Sequence, residues 1–312
     1  MKQLDRQSLV ADRGTVRRLI GQLDIADVFG QVSLASRLAE IEAQLAALEA
    51  APEGPAGSVA LMFGGEPVFG SRAINAEFAT QALGAFQELV TRRVAANELG
   101  LLGGRGPLPL HGSASLAITD IIRGSVGFYL EEATSNFPLV DTVVKTAIDE
   151  VTRIIISAGA EDAVGFEEEI GDVDHRLLLS LKEFFKALDD RQATVRIVED
   201  NRDASLDRNA VKRARERVDL TEIEEQVSDA VVGELLGVLP ESRRFEMRLA
   251  VTGEIIKGVV APEVARKYLE LAESDAGVAG RNWRVKMRIR EVRERNKPPR
   301  QLYKLLGLLE LA

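Results

Sequence analysis

Trp283-Arg284-Val285-Lys286-Met287-Arg288-Ile289-Arg290 alternates apolar and basic side chains without a break. A period of two belongs to a β-strand with one buried face. Trp283, Val285, Met287 and Ile289 are therefore expected in a core, with the four cations on the other side. The surrounding chain has the same grammar. Ala230–Leu239 (AVVGELLGVL) reads as a strand ending at Pro240. Phe245, Met247 and Leu249 alternate with Glu246 and Arg248, and Thr252-Gly253 turns the chain into Glu254–Val260. Pro262 opens a short helix with Val264, Ala265, Tyr268, Leu269 and Ala272 as its apolar stripe. After the basic strand, Pro298-Pro299 turns the chain into a last strand, Leu302–Leu311.

Five strands with one helix between the third and fourth resemble the OB-fold, a small Greek-key barrel. The resemblance is one of architecture and covers residues 228–312. It implies that the turn between the last two strands is one of the loops with which such barrels grip single strands. The basic strand and this turn nominate Arg284, Lys286, Arg288, Arg290, Arg293, Arg295, Lys297, Arg300 and Tyr303 as a surface for single-stranded nucleic acid or an acidic protein partner. Ten Lys/Arg face two Glu between Gly280 and Lys304, a local +8 in a chain of net charge −9, which leaves −17 elsewhere. Any polyanion contact is thereby placed in the barrel. Exposed aromatics for base stacking are scarce there, and docking onto an acidic protein surface or a solvated edge strand explains the same pattern.

At 312 residues the chain is long enough for more than one domain. It has no cysteine and two histidines, His111 and His175, which excludes disulfides, thiolate metal sites and a histidine-rich metal centre. No stretch is apolar enough to span a bilayer, and the opening MKQLDRQ lacks a signal-peptide core, so a cytoplasmic location with no membrane partner is expected.

Residues 1–50 read as a helical hairpin. Its first helix is expected from about Thr15 to Phe29. Leu34, Leu38, Ile41, Leu45 and Leu48 then follow at spacings of 4, 3, 4 and 3, the seam of two heptads. That seam packs either within the chain or against a second copy, and it nominates these five residues for homo-oligomerisation. Ala51–Gly57 is a linker by composition. Residues 57–227 mix strands and helices: strand Ser58–Phe63, helix Ile74–Val94, a hairpin of Ser115–Ile122 and Val126–Glu131, helices Leu139–Ser157 and Asp174–Leu188, strand Ala193–Val198, and a charged helix near Asp207–Arg217. The class is α+β: a helical hairpin, a mixed body and a small C-terminal barrel.

Two further groups in the body have the right residue types for a ligand. Gly64, Gly65, Ser71 and Arg72 follow a strand near a helix start, and Arg105 and Arg123 lie in Gly-flanked turns. Together they form an anion cradle on paper, although no Walker or dinucleotide fingerprint is present. Tight turns explain the same glycines. Glu167, Glu168, Glu169, Asp172, Asp174 and His175 contain the donors of a cation site, but acids at a helix start also serve as caps. Glu131 and Glu132 fall on opposite faces of a strand and make a poor acid/base pair. No cofactor, metal or catalytic residue is expected. The reading is a non-catalytic binding and assembly subunit of a bacterial-type complex. Its alternatives are a sensor or enzyme for a small phosphorylated or nucleotide ligand held by the Gly-flanked arginines, and a purely structural oligomer.

Overall fold

The computed structural model describes residues 2–24, 27–50, 54–99, 114–122, 126–133, 138–200, 202–273, 279–294 and 298–311. The fold is mixed α+β, and the chain divides into two compact units. One comprises 1–170 and 179–216, the other 171–178 and 217–312.

The first unit is built on an antiparallel sheet. Its strands are β1 (Ser58–Gly65), β4 (Leu116–Ile122), β5 (Val126–Glu132), β6 (Ala193–Glu199) and β7 (Arg202–Leu206), in the order β4-β5-β1-β6-β7. The two-residue strands β2 (Val68–Phe69) and β3 (Ala73–Ile74) form a separate ribbon. The central strand β1 is buried from Val59 to Phe63 because both faces of the sheet are covered. On one face Phe63 meets Phe78 of α3 (Ala76–Leu99) edge-on at 5.3 Å. Phe86 of α3 lies 6.3 Å from Phe184 of α6 (His175–Asp189). The helix α4 (Val143–Gly159) buries Val144, Ala147, Ile148, Val151, Ile154 and Ile155. On the other face Ala60, Met62 and Val198 pack with Leu4 of α1 (Lys2–Gln22), Ile122 and Tyr129. Gln7 of α1 joins this contact, bonding both Arg196 and Asp203 across β6 and β7.

The helix α1 starts thirteen residues before the expected Thr15, because its first turns are polar and find their apolar partner in the sheet. It packs on α2 (Val28–Ala50) through Val16, Ile41 and Leu45, with Leu9, Ile20, Leu34 and Leu38 around them. Arg17 bonds Glu42 at 2.8 Å across the pair. Two expected helix starts shift inward for a capping reason. Thr142 accepts from the Lys145 N–H, so α4 begins at Val143 and leaves Leu139 and Val140 exposed. Asn75 accepts from the Phe78 N–H, so α3 begins at Ala76 while Ile74 joins β3. The short α5 (Val164–Glu169) and the strand β7 were not expected; β7 is polar and lies at the sheet edge.

The second unit contains a closed five-stranded barrel: β8 (Thr221–Leu239), β9 (Arg244–Leu249), β10 (Ile255–Val260), β11 (Arg281–Glu294) and β12 (Arg300–Leu311). Each strand pairs antiparallel with its neighbours except β10 and β12, which are parallel. The helix α8 (Pro262–Glu273) separates β10 from β11 and packs Val264 and Ala265 on a core of Leu235, Phe245, Met247, Val285, Met287 and Leu305. Gly258 lets the parallel pair approach, since a Cβ there would lie 2.1 Å from the Tyr303 carbonyl oxygen. The strand β8 begins nine residues before the expected Ala230. Its extra half pairs with the C-terminal half of β11, setting Glu222 opposite Arg293. The helix α7 (Arg208–Asp219) leads into it. Among the described residues no helix is long and apolar enough to cross a membrane.

Candidate functional site

The strand β11 carries the basic alternation, and its neighbours β8 and β12 decide what the cations meet. Arg284 bonds Glu310 of β12 at 2.9 Å and donates to the Asp229 carbonyl at 3.2 Å. Lys286 lies 3.6 Å from the Asp229 carboxylate. Both contacts follow from an irregularity in register between β8 and β11, which passes from Val231↔Val285 to Ser228↔Met287 and leaves Asp229 and Ala230 opposite Lys286. Arg293 bonds Glu224 at 2.9 Å and Glu291 at 2.7 Å.

The expectation of four outward cations needs correction at two positions. Arg288 and Arg290 are 4% and 6% exposed, and Arg290 donates to the Gly171 carbonyl at 2.8 Å. Alternation sets them opposite Met287 and Ile289; it could not see that this side of the strand is covered at Arg288 and Arg290. Arg300 is half-buried, and the Tyr303 hydroxyl donates to Gln301 at 2.6 Å while its ring packs on the barrel core. Burial pushes the Tyr303 phenol up from its ordinary range, with the Glu254 charge adding to it. Arg295 and Lys297 lie outside the described residues.

The outer face of β8, β9 and β10 is balanced in the same way. Arg248 bonds Glu234 at 2.6 Å, and Lys257 bonds Glu246 at 2.7 Å. The aromatic residue of β9, Phe245, points into the core.

The paper cradle in the body takes a different form. Gly64 and Gly65 end β1 as ladder partners of Thr194 and Ala193. Gly65 has φ +88°, and a Cβ on it would lie 2.3 Å from the Gln192 carbonyl oxygen. Close approach to β6 therefore accounts for glycine there. Ser71 and Arg72 sit exposed in the turn between β2 and β3, and Arg105, Arg123 and His111 lie outside the described residues. The acidic run divides between helices. Glu167, Glu168 and Glu169 belong to α5, Glu169 lies 3.8 Å from Arg153, and Asp174 caps α6 by accepting from the Leu177 N–H at 2.7 Å. No cluster of three or more His, Cys, Asp or Glu side chains suited to a metal ion occurs among the described residues.

One constellation escaped sequence reasoning. A cleft of about 290 Å³, where β6 turns into β7 beside the start of α4, is lined by Asp141, Lys145, Thr146, Asp149, Glu199, Asp200 and Arg202. Arg202 bonds Glu199 and Asp149, each at 2.9 Å. Lys145 donates to the Gly54 carbonyl at 2.8 Å and to Asp141 at 3.1 Å. Burial pushes the Glu199 carboxyl up to about 7, and Asp149 and Asp200 add to the rise against the pull of Arg202. For Lys145 burial lowers the affinity for its proton, but Asp141 and Asp200 outweigh it and hold it above the usual lysine value. These residues come from two segments separated by fifty positions, so no local spacing announces them. Comparison with known protein families, with curated proteins and with solved structures gives no match.

Proposed function

We propose that this chain is a non-catalytic binding and assembly protein, and that its C-terminal barrel is an OB-like docking module for a protein partner. The OB-like reading is supported by the closure order, in which the first strand pairs with the second and fourth and the third runs parallel to the fifth, with one helix between the third and fourth.

One observation carries the choice of partner. Arg248, Lys257, Arg284, Lys286 and Arg293 on the barrel's outer face each meet a carboxylate of the same barrel. A single-strand binder gains affinity by releasing counterions from phosphates, which requires uncompensated cations along a track, and by stacking bases on exposed aromatics. A surface of alternating, self-balanced charge suits a protein surface of equally mixed charge, where complementarity sets register.

Anisotropy of a labelled single strand, titrated with the protein at low and then moderate salt, tests this. The reading expects no saturable binding at either. Saturable binding that collapses with salt and disappears in Arg284→Glu/Lys286→Glu would replace it with the nucleic-acid reading. A small-ligand sensor or enzyme remains the second reading, and the Glu199 cleft favours it more than the glycine turns do. A buried carboxyl that titrates near neutrality is suited to exchange a proton with a bound molecule.

A further inference from the structure

The heptad seam, which could pack within the chain or against a second copy, faces α1. Ile41 and Leu45 are buried against α1, with Leu34 and Leu38 packed beside them and Leu48 half-buried. The opposite face of α2 repeats the same spacing. Phe29, Val32, Ser36, Ala39, Ala43, Ala46 and Ala50 follow at intervals of 3, 4, 3, 4, 3 and 4, and all seven are exposed. Phe29 is 92% exposed and Val32 64%, large apolar groups left in water at one end of a helix. We propose that this outer face of α2 is where two copies of the chain associate, helix against helix and antiparallel.

Side-chain size chooses the occupant and its direction. The seam is large at its start and small from Ser36 onward. A parallel copy would set Phe29 on Phe29 and alanine on alanine, splaying one end and leaving the other unfilled. An antiparallel copy sets Phe29 against Ala46, Val32 against Ala43 and Ser36 against Ala39, so each large group meets a small one and the axes stay evenly close. Charge does not oppose this direction: Glu40 pairs with Arg37, Glu42 with Arg17 and Glu49 with Arg6, and antiparallel pairing opposes the two helix dipoles. The helix is about 34 Å long, and a single face of that length buries less than a standard interface of roughly 1,200 Å² or more. The dimer is accordingly reversible and depends on concentration. It concerns assembly alone, so a monomer would overturn it without touching the barrel reading, which the strand titration tests separately.

Sedimentation of the full chain from micromolar to millimolar concentration should show the mass rising from 34.0 kDa toward twice that value. Ala39→Glu, at an exposed position that leaves the α1 contact alone, should stay monomeric with unchanged helical circular dichroism. A monomer at every concentration, or an Ala39→Glu protein that dimerises like the parent, overturns the proposal and leaves the face to a helix of some other protein. Because the chain has no cysteine, direction is tested by mild oxidation. A mixture of Val32→Cys and Ala43→Cys proteins should cross-link, while either alone should not. Each cysteine and its own copy would be about 16 Å apart along the antiparallel pair, beyond disulfide reach. Cross-linking of each variant with itself would overturn the antiparallel arrangement.

Discussion

The two five-stranded sheets of this protein bury their apolar residues by different means, and their charges follow suit. The sheet of the first unit is open and covered on both faces, so β1 is apolar at every position from Val59 to Phe63. The barrel closes on itself, so β9 alternates buried Phe245 and Met247 with exposed Glu246 and Arg248. One ion pair from each shows the contrast: Arg93–Glu150 of the first unit is 9% and 20% exposed, against 47% and 63% for Arg284–Glu310 of the barrel. The same chemistry should therefore matter in the first pair and hardly at all in the second.

The strongest way to break this contrast is to open the covered sheet. Phe63→Ala removes a fully buried ring and its contacts with Phe78 and Phe128, and urea denaturation should show a loss of about 3–5 kcal/mol. A loss near 1 kcal/mol would mean that the sheet is not packed as described.

Next comes pH. The Glu199 carboxyl is raised in the folded chain from 4.5 to about 7. Its favourable contribution is complete below 4.5 and is lost as pH rises through 7, because the folded state holds a proton that the unfolded state gives up. Parent and Glu199→Gln proteins, unfolded at about pH 5 and about pH 8, should differ in pH dependence by roughly 3 kcal/mol, with the parent falling and the variant flat over this window. Parallel curves would remove the buried carboxyl from the account.

Arg93→Met is expected to cost about 2–3 kcal/mol, since it strands Glu150. Burial pushes Glu150 up, but the hydrogen bond and charge of Arg93, with Asn97 helping, outweigh it and hold its carboxyl below the ordinary value. The pair's contribution is thus present above 4.5 and lost as pH falls through the lowered value. Arg284→Ala in the barrel should change stability by less than about 1 kcal/mol, and less still in high salt. A large loss there would erase the distinction between the two units.

Legibility followed the same division. The barrel half of β8, with β9, β10, α8 and β11, could be read closely from the chain, because one solvated face makes period-two alternation visible. The other half of β8, TEIEEQVSD, was missed because its glutamates look like a solvated helix until β11 supplies cations opposite them. In the body, SVALMF announced a buried strand, but nothing in it says that one face meets α3 and the other α1. Of the nominated barrel residues, exposed Arg284 and Arg293 and half-buried Lys286 are paired, and Arg288 and Arg290 are buried. The Glu199 cleft had no sequence signal at all, since Asp141, Lys145 and Asp149 meet Glu199, Asp200 and Arg202 only across the fold.

Periodicity, caps and turn residues act over a few positions, and from the sequence alone they determined the α+β class, the run of strands around α8 and the heptad spacing of α2. Which carboxylate answers which cation, which seam of α2 faces α1, and which acid is buried deeply enough to hold its proton near neutrality were decided by the tertiary structure. Each of these depends on partners brought from distant segments, and charge, desolvation and packing act through space and not along the chain.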